Sequence, residues 1–124
     1  MEWLQANGAS LVDKAGQAVD VASLDGKVVA FYFSSSWCGD CTVFTPYLVD
    51  FYDVVKDKGF EIVFVSSDED EEKRAAYMAK SHGTWLSLRH EGDKDLRGEL
   101  KRKYGACAGR EQGPLGVSVR REGI

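Results

Sequence analysis

The chain has 124 residues, enough for one domain with its own core, and residues 1–124 are expected to form a single domain. With 44% hydrophobic and 29% charged residues it has the composition of a globular protein and not of a disordered one. A formal net charge of −4 disfavours nucleic acid as a partner, and no apolar run approaches the ~20 residues of a membrane span.

Met1 to Gln5 carry no basic segment leading into an apolar one, so a cytoplasmic location is expected. Leu11-Val12-Asp13 and Ala18-Val19-Asp20 flank the turn Lys14-Ala15-Gly16-Gln17 and read as a small hairpin. Val28-Val29-Ala30-Phe31-Tyr32-Phe33 is a continuous β-prone run, the pattern of a strand buried on both faces. From Cys41 to about Val55, apolar residues at Val43/Phe44, Tyr47/Leu48, Phe51 and Val54/Val55 have helical spacing, with Pro46 inside as a kink. Lys56, Lys58 and Gly59 end that helix. Glu61 to Ser66 reads as a second central strand. Ser67 then caps a helix whose first turn, Asp68 to Glu72, is acidic and solvated, and which runs to about Lys80. Trp85-Leu86-Ser87-Leu88 is a short extended stretch, Asp93 to Lys103 a third helix, and Leu115 to Val119 a further strand. Strands alternating with helices imply βαβ units on a parallel core, hence an α/β fold.

Three cysteines in a chain of this kind disfavour a disulfide framework. Two of them, Cys38 and Cys41, form a C-x-x-C pair between a buried strand and the start of a helix. Free N–H groups and the dipole at a helix N-terminus favour an anion, and such placement lowers a cysteine pKa. Cys38 is then the attacking thiolate, and Cys41, one turn further in and more buried, resolves the mixed disulfide. Trp37 offers a flat edge beside the exposed sulfur. Between the cysteines, Gly39 is followed by Asp40, whose like charge opposes thiolate formation, makes the reduced form less favoured and so leans the pair towards acting as a reductant. Two other readings stand beside this one, the first a pair of buried, unreactive cysteines. The pair is also half of a zinc site, with Cys107, His82 and His90 as further ligands at no paired spacing. Outside that role Cys107 reads as an incidental thiol and both histidines as solvated loop residues.

Phe31-Tyr32-Phe33-Ser34-Ser35-Ser36-Trp37-Cys38-Gly39-Asp40-Cys41, with Phe44-Thr45-Pro46, Asp68-Glu69, Trp85-Leu86 and Lys103-Tyr104-Gly105, resembles the thioredoxin superfamily, most closely its tryparedoxin and nucleoredoxin branch. The resemblance implies a thioredoxin fold, a mixed sheet flanked by helices with an N-terminal hairpin. It implies thiol–disulfide oxidoreduction on protein substrates such as peroxidases, with a dithiol as electron donor, trypanothione in trypanosomatids. Cys38 resembles the nucleophile, Cys41 the resolving cysteine, Trp37 the flanking tryptophan and Pro46 the helix-kinking proline. No cofactor beyond the redox-active Cys38–Cys41 disulfide is implied. Two departures stand out. Gly39-Asp40 replaces the branch's usual Pro-Pro. The family's cis-proline loop, closing hairpin and last helix have no clear counterpart. The preferred alignment puts that proline beyond Ile124, with the C-terminal elements truncated; a competing one uses Pro114 followed by the strand at Leu115 to Val119. An incomplete sheet motivates the last reading, a non-catalytic interaction module.

Overall fold

The computed structural model describes Leu4 and residues 8–89, 98–100, 102 and 116–121, with Asp40 and 116–121 described by their backbone. The hairpin forms as its turn residues dictate: β1 (Leu11–Val12) pairs antiparallel with β2 (Ala18–Val19). Asp13 Oδ1 accepts the N–H groups of Ala15 and Gln17, both at 2.9 Å, and holds the turn. A 3-10 turn over Val21–Leu24 follows, capped by Asp20.

Two β-branched and aromatic runs make the centre of the molecule. They are β3 (Val28–Ser34) and β4 (Phe60–Ser66), paired parallel along their whole length from Val28↔Phe60 to Ser34↔Ser66. Helix α1 (Gly39–Val55) connects them and continues through Pro46. Gly59, at φ 74°, turns the chain from the end of α1 into β4, a conformation other residues adopt at a cost. Helix α2 (Glu71–Ser81) leads to β5 (Leu86–Leu88), which pairs parallel with β4 and antiparallel with β1. The last strand, β6 (Gly116–Arg121), pairs antiparallel with the other edge of β3. The result is a six-stranded mixed sheet in the order β2-β1-β5-β4-β3-β6.

Alternation along β3 divides the core in two. Val29, Phe31 and Phe33 join Leu24, Val63, Val65 and Leu100 on one face. Ala30 and Tyr32 join Leu48, Tyr52, Ile62, Phe64, Tyr77, Met78 and Trp85 on the other, where α1 and α2 pack.

The structure changes several sequence-based expectations. The apolar positions of α1 do not all face the core: Leu48 and Tyr52 are buried, whereas Val43, Tyr47, Phe51 and Val54 are exposed. Helix α2 begins at Glu71 and not at Asp68, because the cap is Asp70, whose carboxylate accepts the Lys73 N–H at 2.8 Å. A strand lies at 116–121, in keeping with the one expected at Leu115 to Val119. Pro114 lies outside the described residues, as do His90, Cys107 and much of the expected third helix, of which 98–100 and 102 are helical.

His82 is the largest correction. It is not solvated but 3% exposed, and it sits among Phe64, Tyr77, Trp85 and Tyr32, with ring centroids 4.3 to 5.6 Å away. Its Nδ1 accepts the Trp85 indole N–H at 3.1 Å. Gly83 admits this arrangement, since a Cβ there would lie 2.8 Å from the Trp85 ring. Burial, helped by the charges of Lys14 and Arg74, pushes the His82 pKa from 6.5 down to about 3. The folded state therefore keeps His82 neutral, while the unfolded chain takes up a proton below 6.5. Its contribution to stability is complete above that pH and is lost as the pH falls towards 3. Between pH 7 and pH 5 the loss is about 2 kcal/mol. Urea unfolding at those two pH values should show that loss in the wild type and a correspondingly smaller one in His82→Gln.

Candidate active site

Because β3 and β4 are parallel and in register, their C-terminal ends open at one edge of the sheet, where sites form in open α/β folds. From Ser34 the chain turns through Ser35, Ser36 and Trp37 and enters α1 with Cys38 as its N-cap. Cys38 is extended, at φ −89° and ψ 110°, and its carbonyl accepts the Thr42 N–H at 3.1 Å. Its Sγ accepts the Cys41 N–H, also at 3.1 Å. The sulfur thus occupies the place of a capping oxygen, facing the free N–H groups and the positive end of the helix dipole. Cys38 and Cys41 are joined as a disulfide, with Cα atoms 5.2 Å apart. Cys41 is fully buried and Cys38 is 7% exposed, so the first sulfur is more enclosed than its position before a helix suggests.

Trp37 supplies the exposed surface at this edge. It is 53% exposed, and its indole N–H donates to the Ser67 carbonyl at 3.3 Å. Gly39 is the first residue of α1 and has open space where a Cβ would go, so packing does not demand glycine there. Asp40 follows it in the first turn. Pro46 lies further along α1 and, lacking an N–H, cannot donate to the carbonyl four residues back.

Two features beside the cysteines escape a reading of spacing and periodicity. The first lies under Cys41. The Thr45 hydroxyl donates to the Cys41 carbonyl at 2.7 Å, and the Tyr32 hydroxyl reaches the same carbonyl at 3.2 Å. Thr45 Oγ1 is 2.7 Å from the Tyr32 hydroxyl and 3.3 Å from that of Tyr77, which in turn is 2.7 Å from Ser34 Oγ. Four hydroxyls from β3, α1 and α2 thus form one buried chain that ends on the Cys41 carbonyl. Tyr32 stays neutral there, its pKa pushed up to about 12, chiefly by burial. The second feature is Asp68. The sequence places it in a solvated helix start, yet it is 4% exposed. Its Oδ1 accepts from Ser36 N–H at 2.8 Å and from the Ser36 hydroxyl at 2.6 Å, while its Oδ2 accepts from the Ser66 hydroxyl at 2.8 Å. The advance signs are the place of Asp68-Glu69 in the family resemblance and the serines at the ends of both central strands, with an aspartate two residues on.

His82, one of the zinc ligands considered, is committed to Trp85 within the aromatic cluster. Among the described residues no group of three or more His, Cys, Asp or Glu is placed to hold a metal ion.

Comparison with known proteins fits this geometry. A family profile described as Thioredoxin-like matches residues 26–109. Probable nucleoredoxin 1 of Arabidopsis thaliana is 51% identical over 79 residues, 63% of this chain and 13% of that protein. The tryparedoxin of Trypanosoma brucei brucei is 44% identical over 80 residues, 64% of this chain and 54% of that protein. Tryparedoxin I from Leishmania major superposes with a TM-score of 0.79 at 34% identity, covering 97% of this chain and 78% of that one. A tryparedoxin II complexed with glutathionylspermidine does so with a TM-score of 0.77 at 31% identity, covering 94% and 78%. The sheet, the cysteine pair and these matches place the chain in the thioredoxin-fold class, whose oxidoreductases work through a redox-active cysteine pair and need no separate cofactor. The chain belongs to the thioredoxin-like family, and its relatives there are nucleoredoxins and tryparedoxins. It spans 13% and 54% of the length of the two curated relatives described.

The hydroxyl chain is open to test through its centre. Thr45→Val keeps the shape and removes the shared hydroxyl, leaving Tyr32 and Tyr77 each short of a partner. Chemical denaturation should register a loss of about 1–2 kcal/mol.

Proposed function

We propose that this chain reduces protein disulfides by thiol–disulfide exchange at Cys38 and Cys41. The observation that carries the reading is the Cys38 sulfur at the N-cap of α1, accepting the Cys41 N–H at 3.1 Å. In the reduced protein the same N–H and the helix dipole favour a thiolate at Cys38.

The cycle starts from the reduced pair. Cys38 thiolate attacks one sulfur of a partner disulfide, forming a Cys38–partner bond and releasing the other partner sulfur as a thiolate, which takes up a proton. Cys41 then gives up its proton and attacks Cys38 Sγ. The Cys38–Cys41 bond forms, the mixed disulfide breaks, and the partner leaves with both thiols. Two electrons pass to the partner, and an external dithiol restores the pair. Trp37, beside Cys38 and half-exposed, is a docking surface for the partner chain in this scheme.

Protein disulfides, those of peroxidases among them, are the proposed acceptors. A small dithiol is the proposed donor, and the solved tryparedoxin II complex with glutathionylspermidine, a small thiol, supports a donor of low molecular weight. No helix among the described residues is long and apolar enough to cross a membrane. We place the activity in the cytoplasm, where dithiol donors stay reduced.

Insulin reduction driven by dithiothreitol tests the reading in the wild type, Cys38→Ser and Cys41→Ser. Cys38→Ser should fall to the rate of dithiothreitol alone. Cys41→Ser should be slow, and, pre-reduced and mixed with insulin in the absence of dithiothreitol, it should accumulate a mixed disulfide visible by mass spectrometry. Equal rates for all three proteins would rule the proposal out.

A further inference from the structure

Cys38 is held in its capping position by a stretch without regular structure. Ser35, Ser36 and Trp37 lie between the end of β3 and the start of α1. Within that stretch the Cys38 N–H donates to the Ser35 carbonyl at 3.2 Å, at the long end of the usual range.

The support comes from the loop after β4. Ser67 N–H donates to the Ser34 carbonyl at 2.9 Å, and the Trp37 indole reaches the Ser67 carbonyl. Asp68 does most. One of its carboxylate oxygens takes both the backbone and the hydroxyl hydrogens of Ser36, at 2.8 and 2.6 Å. Its other oxygen takes the Ser66 hydroxyl, and its own N–H donates back to that hydroxyl, both at 2.8 Å. Bonds to an ionised acceptor are stronger than neutral ones, and a carboxylate 4% exposed gives them little competition from water.

We propose that Asp68 is a positioning residue: its buried carboxylate fixes the backbone at Ser36, and through it keeps Cys38 Sγ at the N-cap of α1 when the disulfide opens. This rests on the proposed role of Cys38 as the attacking thiol. The disulfide itself ties Cys38 to the helix in the oxidised protein. In the reduced protein that tie is gone, and the Ser36–Asp68 bonds carry the geometry.

A carboxylate near a thiolate also acts through its charge, and that effect has the opposite sign. Removing a nearby negative charge lowers a thiol pKa, whereas loosening the cap raises it. The two can be told apart by the alkylation rate of Cys38 in the reduced full chain, with iodoacetamide at pH 7 and peptide-resolved mass spectrometry. Asp68→Ala should slow Cys38 about tenfold, and Asp68→Asn, whose amide oxygen still accepts the Ser36 N–H, should stay within about twofold of wild type. Faster alkylation in both variants, or an unchanged rate in Asp68→Ala, would overturn the proposal. If Asp68→Ala does not fold, Ser36→Ala decides. It keeps the carboxylate and loses one of its bonds, so a slowing of about threefold is expected, and a rate equal to or above wild type overturns the idea. The measurement uses no partner protein. A failure of insulin reduction with the alkylation pattern as expected would strike the reductase reading alone, and a failure here with insulin reduction intact would strike the role of Asp68 alone.

Discussion

Everything at the redox edge depends on the full-length parallel pairing of β3 with β4. Since Ser34 lies opposite Ser66, the two strands release the chain at the same level. The loop carrying Trp37 and Cys38 and the loop carrying Ser67 and Asp68 then meet side by side. A shift of one residue would turn every side chain of β3 to the opposite face. Phe31 and Phe33 would leave their cluster, and Tyr32 would leave the hydroxyl chain beneath Cys41. The hydrophobic pattern that fills the two core layers is thus also what aligns the chemistry at their end.

What builds that alignment was largely readable from residue order. The runs at Val28–Phe33 and Glu61–Ser66 are β-branched and aromatic, which leaves no competing element. The placement of Cys38 and Cys41 between strand and helix followed from the same runs. The buried polar residues were not readable. Asp68 stands within an acidic run, and its neighbours Glu69, Asp70 and Glu71 do lie at the surface or cap the helix. Only the position of Ser36 across the loop singles Asp68 out. His82 beside a glycine looks like a helix stop, and its burial arises from Trp85, three residues further on and folded back over Gly83. Such residues are chosen by partners far away in the chain, and periodicity carries no record of them.

Helix α1 shows the same limit from the other side. Its apolar residues fall at helical spacing on more than one face, so the pattern announces a helix without saying which side is inside. The answer is set by the residues that reach the sheet: Leu48, Tyr52 and Thr45 face inward, and Val43, Tyr47 and Val54 face out. Arg74 is a further case, since a guanidinium 2% exposed is unexpected in a surface helix. It is held by the Glu71 carboxylate and by the Ser87 hydroxyl at 3.1 Å, which pins α2 to β5.

The disulfide closes a ring over a sequence separation of three residues. A cross-link acts on stability mainly through the unfolded chain, by the conformations it forbids. A ring this small forbids few: roughly 2 kcal/mol, against roughly 4.7 kcal/mol for a loop of 100 residues. The fold therefore has less at stake in whether the two sulfurs are joined than a long-loop cross-link would give it. The sheet and its two clusters hold the molecule together, and the proposed exchange of electrons at Cys38 and Cys41 involves one end of a scaffold that they keep folded.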